Sequence, residues 1–372
     1  MATIRGKIAK TSFMTVDPAI RCERASSELR FGRAIVVEDK AQIIAALALD
    51  ACAPSTFDLF AVASDNMHQL FLSPFRAGAL GLETAGGLAL PLSGIDFEEA
   101  SRLSFARDVA LPGHFLPATD AMRSASSLAQ LSLLLPGVVC ADISRSRQLF
   151  DGCVSVNVDD VSQAARHAQR FELVVRTMVP LKDFGNCEFF VFRGGIAQRD
   201  QIAIVVGKPD SSKPVPVRIH SSCITGDLCG SLKCDCGDQL RNGLAAMYEA
   251  GGGIMLYLDQ EGRGTGIGAK MRAYGYQHEG LDTIDADAEL GFGPDHRKYE
   301  AAVAMLSIMG IDKVDLLTNN PTKIAYLRKS GIDVIGRTAV GGVVTAENLN
   351  YLRTKSVRAG HMIDIAALER SA

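Results

Sequence analysis

Long apolar runs are missing from this chain. None approaches the roughly 20 residues that cross a bilayer as a helix, and the opening MATIRGKIAKTSFMTVDP lacks the apolar core of a secretory signal. Neither membrane insertion nor export is expected. Strong net charge is missing too. The 372 residues sum to −3, so no overall field draws the protein to DNA, RNA or anionic lipid. Any phosphate must be held by local Lys and Arg. No internal repeat or low-complexity tract is visible, and residues 1–165 contain no tight group of His, Cys or acidic residues. His68 and His114 stand alone there and read as core or surface histidines rather than ligands. What is present is a folding composition, 47% hydrophobic and 22% charged, in a chain long enough for two ordinary domains. The nine cysteines are odd in number, and four share one short run. That pattern suits a reducing compartment, so the expected location is cytoplasmic.

The cysteine run is Arg218 to Arg241, RIHSSCITGDLCGSLKCDCGDQLR. Cys223, Cys229, Cys234 and Cys236 follow the spacing C-x5-C-x4-C-x-C, unlike the paired C-x2-C of zinc fingers. Val215 and Val217 precede it, which predicts a strand; a helix is predicted from near Asp238 to Gly251–Gly253. Clustered thiolates on a strand-to-helix connection suit a soft divalent ion, above all zinc. Four ligands would close the site and hold structure; three would leave a position open for water. Metal-free buried cysteines are the bland alternative, but Lys233, Asp235 and Asp238 make the segment polar.

Elsewhere the spacing predicts a helix over 25–32, a strand over 33–37, a helix over 40–52 and a strand over 58–63. A helix over 97–105 and a strand over 137–141 follow. Residues 144–169 read as a linker or connecting helix. The expected organisation is an N-terminal α/β domain, 1–165, and a second domain, 166–372, giving a mixed α/β (α+β) class. The second domain opens on strands at 172–181, 188–192, 202–206 and 215–219, expected to be antiparallel. It continues with a strand at 253–258 and helices over 267–278 and 295–309, the latter with Asp295 able to cap its start. A strand at 314–317, a helix from Pro321 and a strand at 332–335 close it.

Three loops carry charge at predicted helix starts. EGRG, 261–264, sets Glu261 and Arg263 among glycines that let backbone N–H groups approach phosphate. GFGPDHR, 291–297, puts Asp295 and Arg297 at a helix N-terminus, and TNNPTK, 318–323, sets Thr318 at a strand end and Lys323 on the first turn of a helix. Each alone is an ordinary turn or cap. Together with a thiolate site they point to metal-assisted attack on a phosphorylated substrate.

The runs VRIHSSCITGD, SLKCDCG, QEGRG, KMRAYGYQ, GLDT, LGFGPDHR and LLTNNPTK occur in that order. With them, residues 171–362 resemble GTP cyclohydrolase II, the enzyme that opens riboflavin biosynthesis. The resemblance implies that family's fold and a homodimer. It implies one zinc on Cys223, Cys234 and Cys236, with Cys229 a bystander. GTP, with magnesium, would be held by Arg218, Ile219, His220, Ser221, Ser222 and Gln239 on one side. Glu261, Gly262, Arg263, Thr283, Thr318 and Lys323 would complete its site, Glu261 reading guanine and the basic residues the triphosphate. Asp295 is implied as proton acceptor and Arg297 as nucleophile towards the α-phosphate, expelling pyrophosphate. Tyr274 would assist near the ring being opened. Zinc would activate water against the imidazole-ring carbon of guanine, releasing formate and leaving a diamino-ribosylamino-pyrimidinone phosphate.

Three positions depart from the family pattern. Ser222 stands where a glutamate is usual, Asp259 where a basic residue is common, and GRGTGIGAK lacks the usual asparagine before its lysine. They motivate two alternatives: a homologue serving another pathway, such as pyrimidine breakdown, and a GTP-binding regulator without turnover. In the first half, ELRFGRAIVVED, 28–39, is similar to the opening of a dihydroxybutanone phosphate synthase domain. Lys40-Ala41-Gln42 stands where that domain's acidic metal-binding run belongs. The expectation is a degenerate, non-catalytic relative; an unrelated α/β domain is the alternative.

Overall fold

The computed structural model describes residues 17–167, 171–197, 200–293, 297 and 299–364. The chain separates into two compact units, Met1–Ala168 and Gln169–Ala372.

The first unit contains β1 (Ile35–Glu38), β2 (Ile43–Ala48), β3 (Gln69–Leu72), β4 (Leu88–Pro91), β5 (Leu116–Pro117), β6 (Val138–Asp142) and β7 (Ser155–Asn157). They form one sheet in the order β5-β4-β3-β6-β2-β1-β7. Its helices are α1 (Pro18–Arg30), α2 (Pro54–Ala63), α3 (Pro74–Ala79), α4 (Phe97–Phe105), α5 (Asp120–Leu131) and α6 (Val158–His167). Val36, Leu47, Phe57, Leu70, Leu72 and Val139 lie at the centre of its core.

Two predicted elements are corrected here. Residues 40–52 hold the strand β2, not a helix, paired between β1 and β6. Both faces of β2 are buried, so its residues carry no alternation, and an unbroken apolar run fits either period. Residues 58–63 belong to helix α2, not a strand. Pro54 starts it at the first turn, where its missing N–H costs nothing, and Phe57, Phe60 and Ala61 face inward. The stretch 144–169 is more than a linker. Its strand β7 pairs parallel with β1, and Asp160 on α6 takes a forked ion pair from Arg21 of α1, at 2.6 and 2.9 Å. His68 is 3% exposed with Phe57 edge-on at 5.3 Å, a core histidine; His114 is exposed.

The second unit contains β8 (Glu172–Leu181), β9 (Gly185–Arg193), β10 (Gln201–Gly207), β11 (Val215–Ser221), β12 (Gly252–Leu258), β13 (Lys313–Leu317) and β14 (Asp333–Thr338). The sheet order is β14-β13-β11-β12-β10-β9-β8. The antiparallel expectation describes β8, β9 and β10, with β12 joining them antiparallel to β10. It fails at β11, which runs parallel to β12 and β13. The reason is the connection: α7 (Cys236–Glu249) carries the chain from β11 to β12 as a crossover, which only parallel strands need. Val217, Ile219, Ile254, Leu256, Val314 and Leu316 of these strands pack with Ala302, Met305 and Leu306 of α10 (Glu300–Ile308). The expected cap at Asp295 lies outside the described residues.

The remaining helices are α8 (Ile267–His278), α9 (Thr283–Glu289), α11 (Pro321–Lys329) and α12 (Leu349–Val357). The segment from 339 to 363 is pinned along its length. Val343 N–H donates to Asp238 at 3.0 Å, Arg358 forks onto Asp285 at 2.9 and 3.0 Å, and Met362 N–H donates to the Asn319 carbonyl at 2.8 Å. Gly342 lies so close to the start of α7 that a Cβ there would meet the Cβ atoms of Asp235 and Asp238 at 2.8 Å.

Candidate active site

Parallel strands present their carboxyl ends to one side of a sheet, where ligands collect. Beyond the ends of β11, β12 and β13 lies a cleft open to solvent. Cys223 follows β11, and Cys234 and Cys236 lie at the start of α7. The ligand atoms of these three cysteines all lie within 4.8 Å of one another. Cys229 is exposed and outside the group. The Sγ atoms of Cys223 and Cys234 are 3.6 Å apart. Tetrahedral Zn–S bonds of about 2.3 Å would set two sulfurs about 3.8 Å apart, so the donor set fits zinc in both softness and spacing. Gly226 forms the back of this nest: a Cβ there would meet Cys234 Sγ at 2.9 Å and Cys223 Sγ at 3.2 Å. The Cys223 thiol is driven well below its ordinary value by its bonds with Cys234 and Cys236, with the Lys270 charge adding to them.

The loop from Cys223 to Cys234 is held by Asp227, which carried no expected role. Its carboxylate accepts from Cys223 N–H at 2.9 Å and from the Tyr257 hydroxyl at 3.0 Å. His220 Nε2 lies 3.0 and 3.1 Å from its two oxygens. His220 is 3% exposed and stacked on Tyr257. Burial lowers its imidazole below the ordinary value, with Asp227 opposing. The sequence signal was the Asp of CITGD, four residues after Cys223.

The structure brings most of the expected residues to this cleft. Arg218, Ile219, His220, Ser221, Ser222, Gln239, Glu261, Gly262, Arg263, Tyr274, Thr283, Arg297, Thr318 and Lys323 all line it with the cysteines. Asp295 lies outside the described residues. Arg218, buried, donates to the Leu317 carbonyl at 3.1 Å and to Gln239 at 2.7 Å; burial lowers its guanidinium to about 10. Lys323 donates to the Ile219 carbonyl at 2.6 Å. Arg263, at φ +61°, reaches the Thr283 carbonyl at 3.0 Å and pairs with Asp287. Glu261 accepts from Ile224 N–H at 2.6 Å and from Lys270 at 2.7 Å. Ser222 Oγ accepts from Gln260 N–H at 3.2 Å, tying the end of β11 to the loop after β12. Burial raises the Tyr274 phenol, Lys270 opposing. Tyr351, Lys355 and His361, from α12 and the segment after it, also line the cleft; the seven motifs above gave them no role.

The family model for GTP cyclohydrolase II matches residues 172–339, the stretch that holds the three cysteines, Arg297 and Lys323. A GTP cyclohydrolase-2 of Xylella fastidiosa (strain 9a5c) is 52% identical over 353 residues, covering 94% of this chain and 89% of the relative. This chain belongs to the GTP cyclohydrolase II family. The likeness takes in both units. A GTP cyclohydrolase-2 of Azospirillum brasilense is 35% identical over 358 residues, covering 91% of this chain and 93% of the relative. One of Histophilus somni (strain 2336) is 41% identical over 194 residues, covering only 52% of this chain but 89% of the relative. Some members of the family are therefore about as long as the second unit alone. Among the described residues, no helix is long and apolar enough to cross a membrane.

Proposed function

We propose that the cleft opens the imidazole ring of GTP, releasing formate and pyrophosphate, as the first step of riboflavin biosynthesis. The observation that carries this reading is the convergence of three cysteine sulfurs, within 4.8 Å of one another, on a cleft also lined by Arg263, Arg297 and Lys323. Zinc at the three thiolates would supply a Lewis acid that activates water against the imidazole-ring carbon. The chain's own groups do the rest. Lys323, Arg263 and Arg218 bring positive charge for the triphosphate, accompanied by magnesium, and Thr283 and Thr318 line the same cleft beside them. Glu261 reads the guanine edge, its carboxylate held in place by Ile224 N–H and Lys270. Tyr274, a phenol at neutral pH, assists near the ring as it opens. Arg297 attacks the α-phosphorus and pyrophosphate leaves with the bonding pair, Asp295 accepting the guanidinium proton; water then cleaves the Arg297–phosphorus bond, freeing the phosphate product as the guanidine takes back a proton. That acceptor is needed because a guanidinium loses its proton only above about pH 12 in water.

The first unit is inferred to be a non-catalytic relative of dihydroxybutanone phosphate synthase, because Lys40-Ala41-Gln42 replaces the acidic run such a site needs. One experiment tests both halves. Zinc-loaded protein incubated with GTP and magnesium is expected to give formate, pyrophosphate and the pyrimidinone in equal amounts. With ribulose phosphate instead it is expected to give no four-carbon phosphate. Tight GTP binding without any product would sink the enzymatic reading and leave a regulator. The proposed location is cytoplasmic. The proposed assembly is a homodimer, so light scattering at micromolar concentration is expected to give twice the 39.7 kDa of the chain; a single-chain mass would count against it.

A further inference from the structure

Three thiolates around a divalent ion carry one net negative charge. Asp235, between two of the cysteines and 3% exposed, adds another. A centre so rich in electrons is a weak electrophile, because each sulfur gives density to the ion. Two lysines face it from different helices. On α8, Lys270 Nζ donates to Cys223 Sγ at 3.1 Å. Thr225 Oγ1 at 2.9 Å and Glu261 Oε1 at 2.7 Å also accept from it, so three acceptors fix its position. On α12, Lys355 Nζ donates to Asp235 Oδ1 at 2.9 Å, 4.3 Å from the centre of the Tyr351 ring. The other Asp235 oxygen accepts from Gln239.

We propose that Lys270 and Lys355 are positioning residues of the metal centre, whose ammonium groups draw electron density from the sulfur ligands and set how strongly a bound divalent ion polarises water. Lys270 acts directly, through its N–H···S bond; Lys355 acts through Asp235, which links the backbone of Cys234 to that of Cys236. Partners behind a ligand govern its basicity in this way, and a charged donor roughly doubles the strength of a hydrogen bond. Glu261 and Asp227 are carboxylates nearby, so removing either lysine leaves the cluster with one more uncompensated negative charge.

The proposal rests on the three cysteines being ligands, and the test keeps the two apart. Cobalt(II) replaces zinc in the full-length protein, and the sulfur-to-cobalt charge-transfer absorption is recorded. The unmutated protein is expected to bind one cobalt and show that band; its absence would sink the ligand assignment itself. Lys270→Met is expected to keep one cobalt and move the band to lower energy, because a thiolate relieved of its N–H donor gives up an electron more readily. Lys355→Met is expected to move it the same way by less, and Lys270→Arg, which keeps a charged donor, to hold the band close to its unmutated position. Lys233→Met is the control, since that ammonium bonds His278 at 2.9 Å and no sulfur; its band is expected to stay in place. With zinc restored, formate release by Lys270→Met is expected to fall about 10- to 100-fold. Bands of both methionine variants superimposed on that of the unmutated protein would overturn the proposal. So would loss of cobalt from them, which would make the lysines supports of the fold and not modulators of the ion.

Discussion

Changing Cys234 to serine is expected to take the metal content from one per chain to near zero. Formate release should fall by at least about a thousandfold, the several kcal/mol a Lewis acid contributes at a reacting centre. The argument is geometric. Cys234 is 8% exposed and its sulfur lies 3.6 Å from that of Cys223, so it has no freedom to be replaced by a neighbour. Serine keeps the shape but not the chemistry: its hydroxyl stays protonated where a thiol ionises, and a hard oxygen is a poor match for zinc. With only three protein ligands, losing one leaves two, too few to compete with water. Cys229→Ser is the counterpart, expected to leave metal and turnover intact, because Cys229 is exposed and outside the cluster. Metal analysis of the two purified variants decides it. If Cys229→Ser also strips the ion, the site is a closed four-thiolate one and has no open position for water.

The second large effect separates the two ends of GTP. Arg297→Ala is expected to lower pyrophosphate release by at least about a hundredfold, since no other group in the cleft is proposed to attack phosphorus. Arg297→Lys is expected to fail as well, because a compact ammonium cannot reproduce the planar fork of a guanidinium. Asp295→Asn is expected to be nearly as damaging, an amide being unable to take the proton. Metal-free protein is expected to behave the opposite way, with formate lost and some phosphate chemistry surviving. Pyrophosphate and formate followed in the same reaction give the answer. Pyrophosphate released by Arg297→Ala at the unmutated rate would reduce Arg297 to a clamp and make water the nucleophile.

The sequence was most legible where chemistry demands particular residue types and least where only burial decides. The cysteines, Arg263, Arg297 and Lys323 could be placed in one site because each sits in a short run whose neighbours prescribe its setting. β2 and α2 exchange strand for helix between sequence and structure for different reasons: Ile43–Ala48 is buried along its length and shows no period, whereas α2 leaves Leu59 and Val62 in solvent, so its apolar residues mark no single face. The direction of β11 is hidden in the sequence because four strand-like runs follow one another and the crossover through α7 comes only afterwards. Lys355 was out of reach for another reason. It meets Asp235 across 120 residues of chain, and a lysine on a polar helix carries no mark of the carboxylate it will find. Asp227 could have been found: a carboxylate four residues beyond a metal-ligand cysteine is well placed to hold the turn between them.

The pinned segment from 339 to 363 bears on how the family can vary in length. It is tethered at Asp238, at Asp285 and at Asn319, with Gly342 pressed against the start of α7. Surface loops ordinarily absorb insertions at little cost, because closing a slightly longer loop is cheap. Here the spacing between successive anchors is fixed by the body they grip, so an added or deleted residue would shift every later tether out of register. Length changes among relatives should therefore fall outside this stretch, leaving it constant in count even where its residues differ.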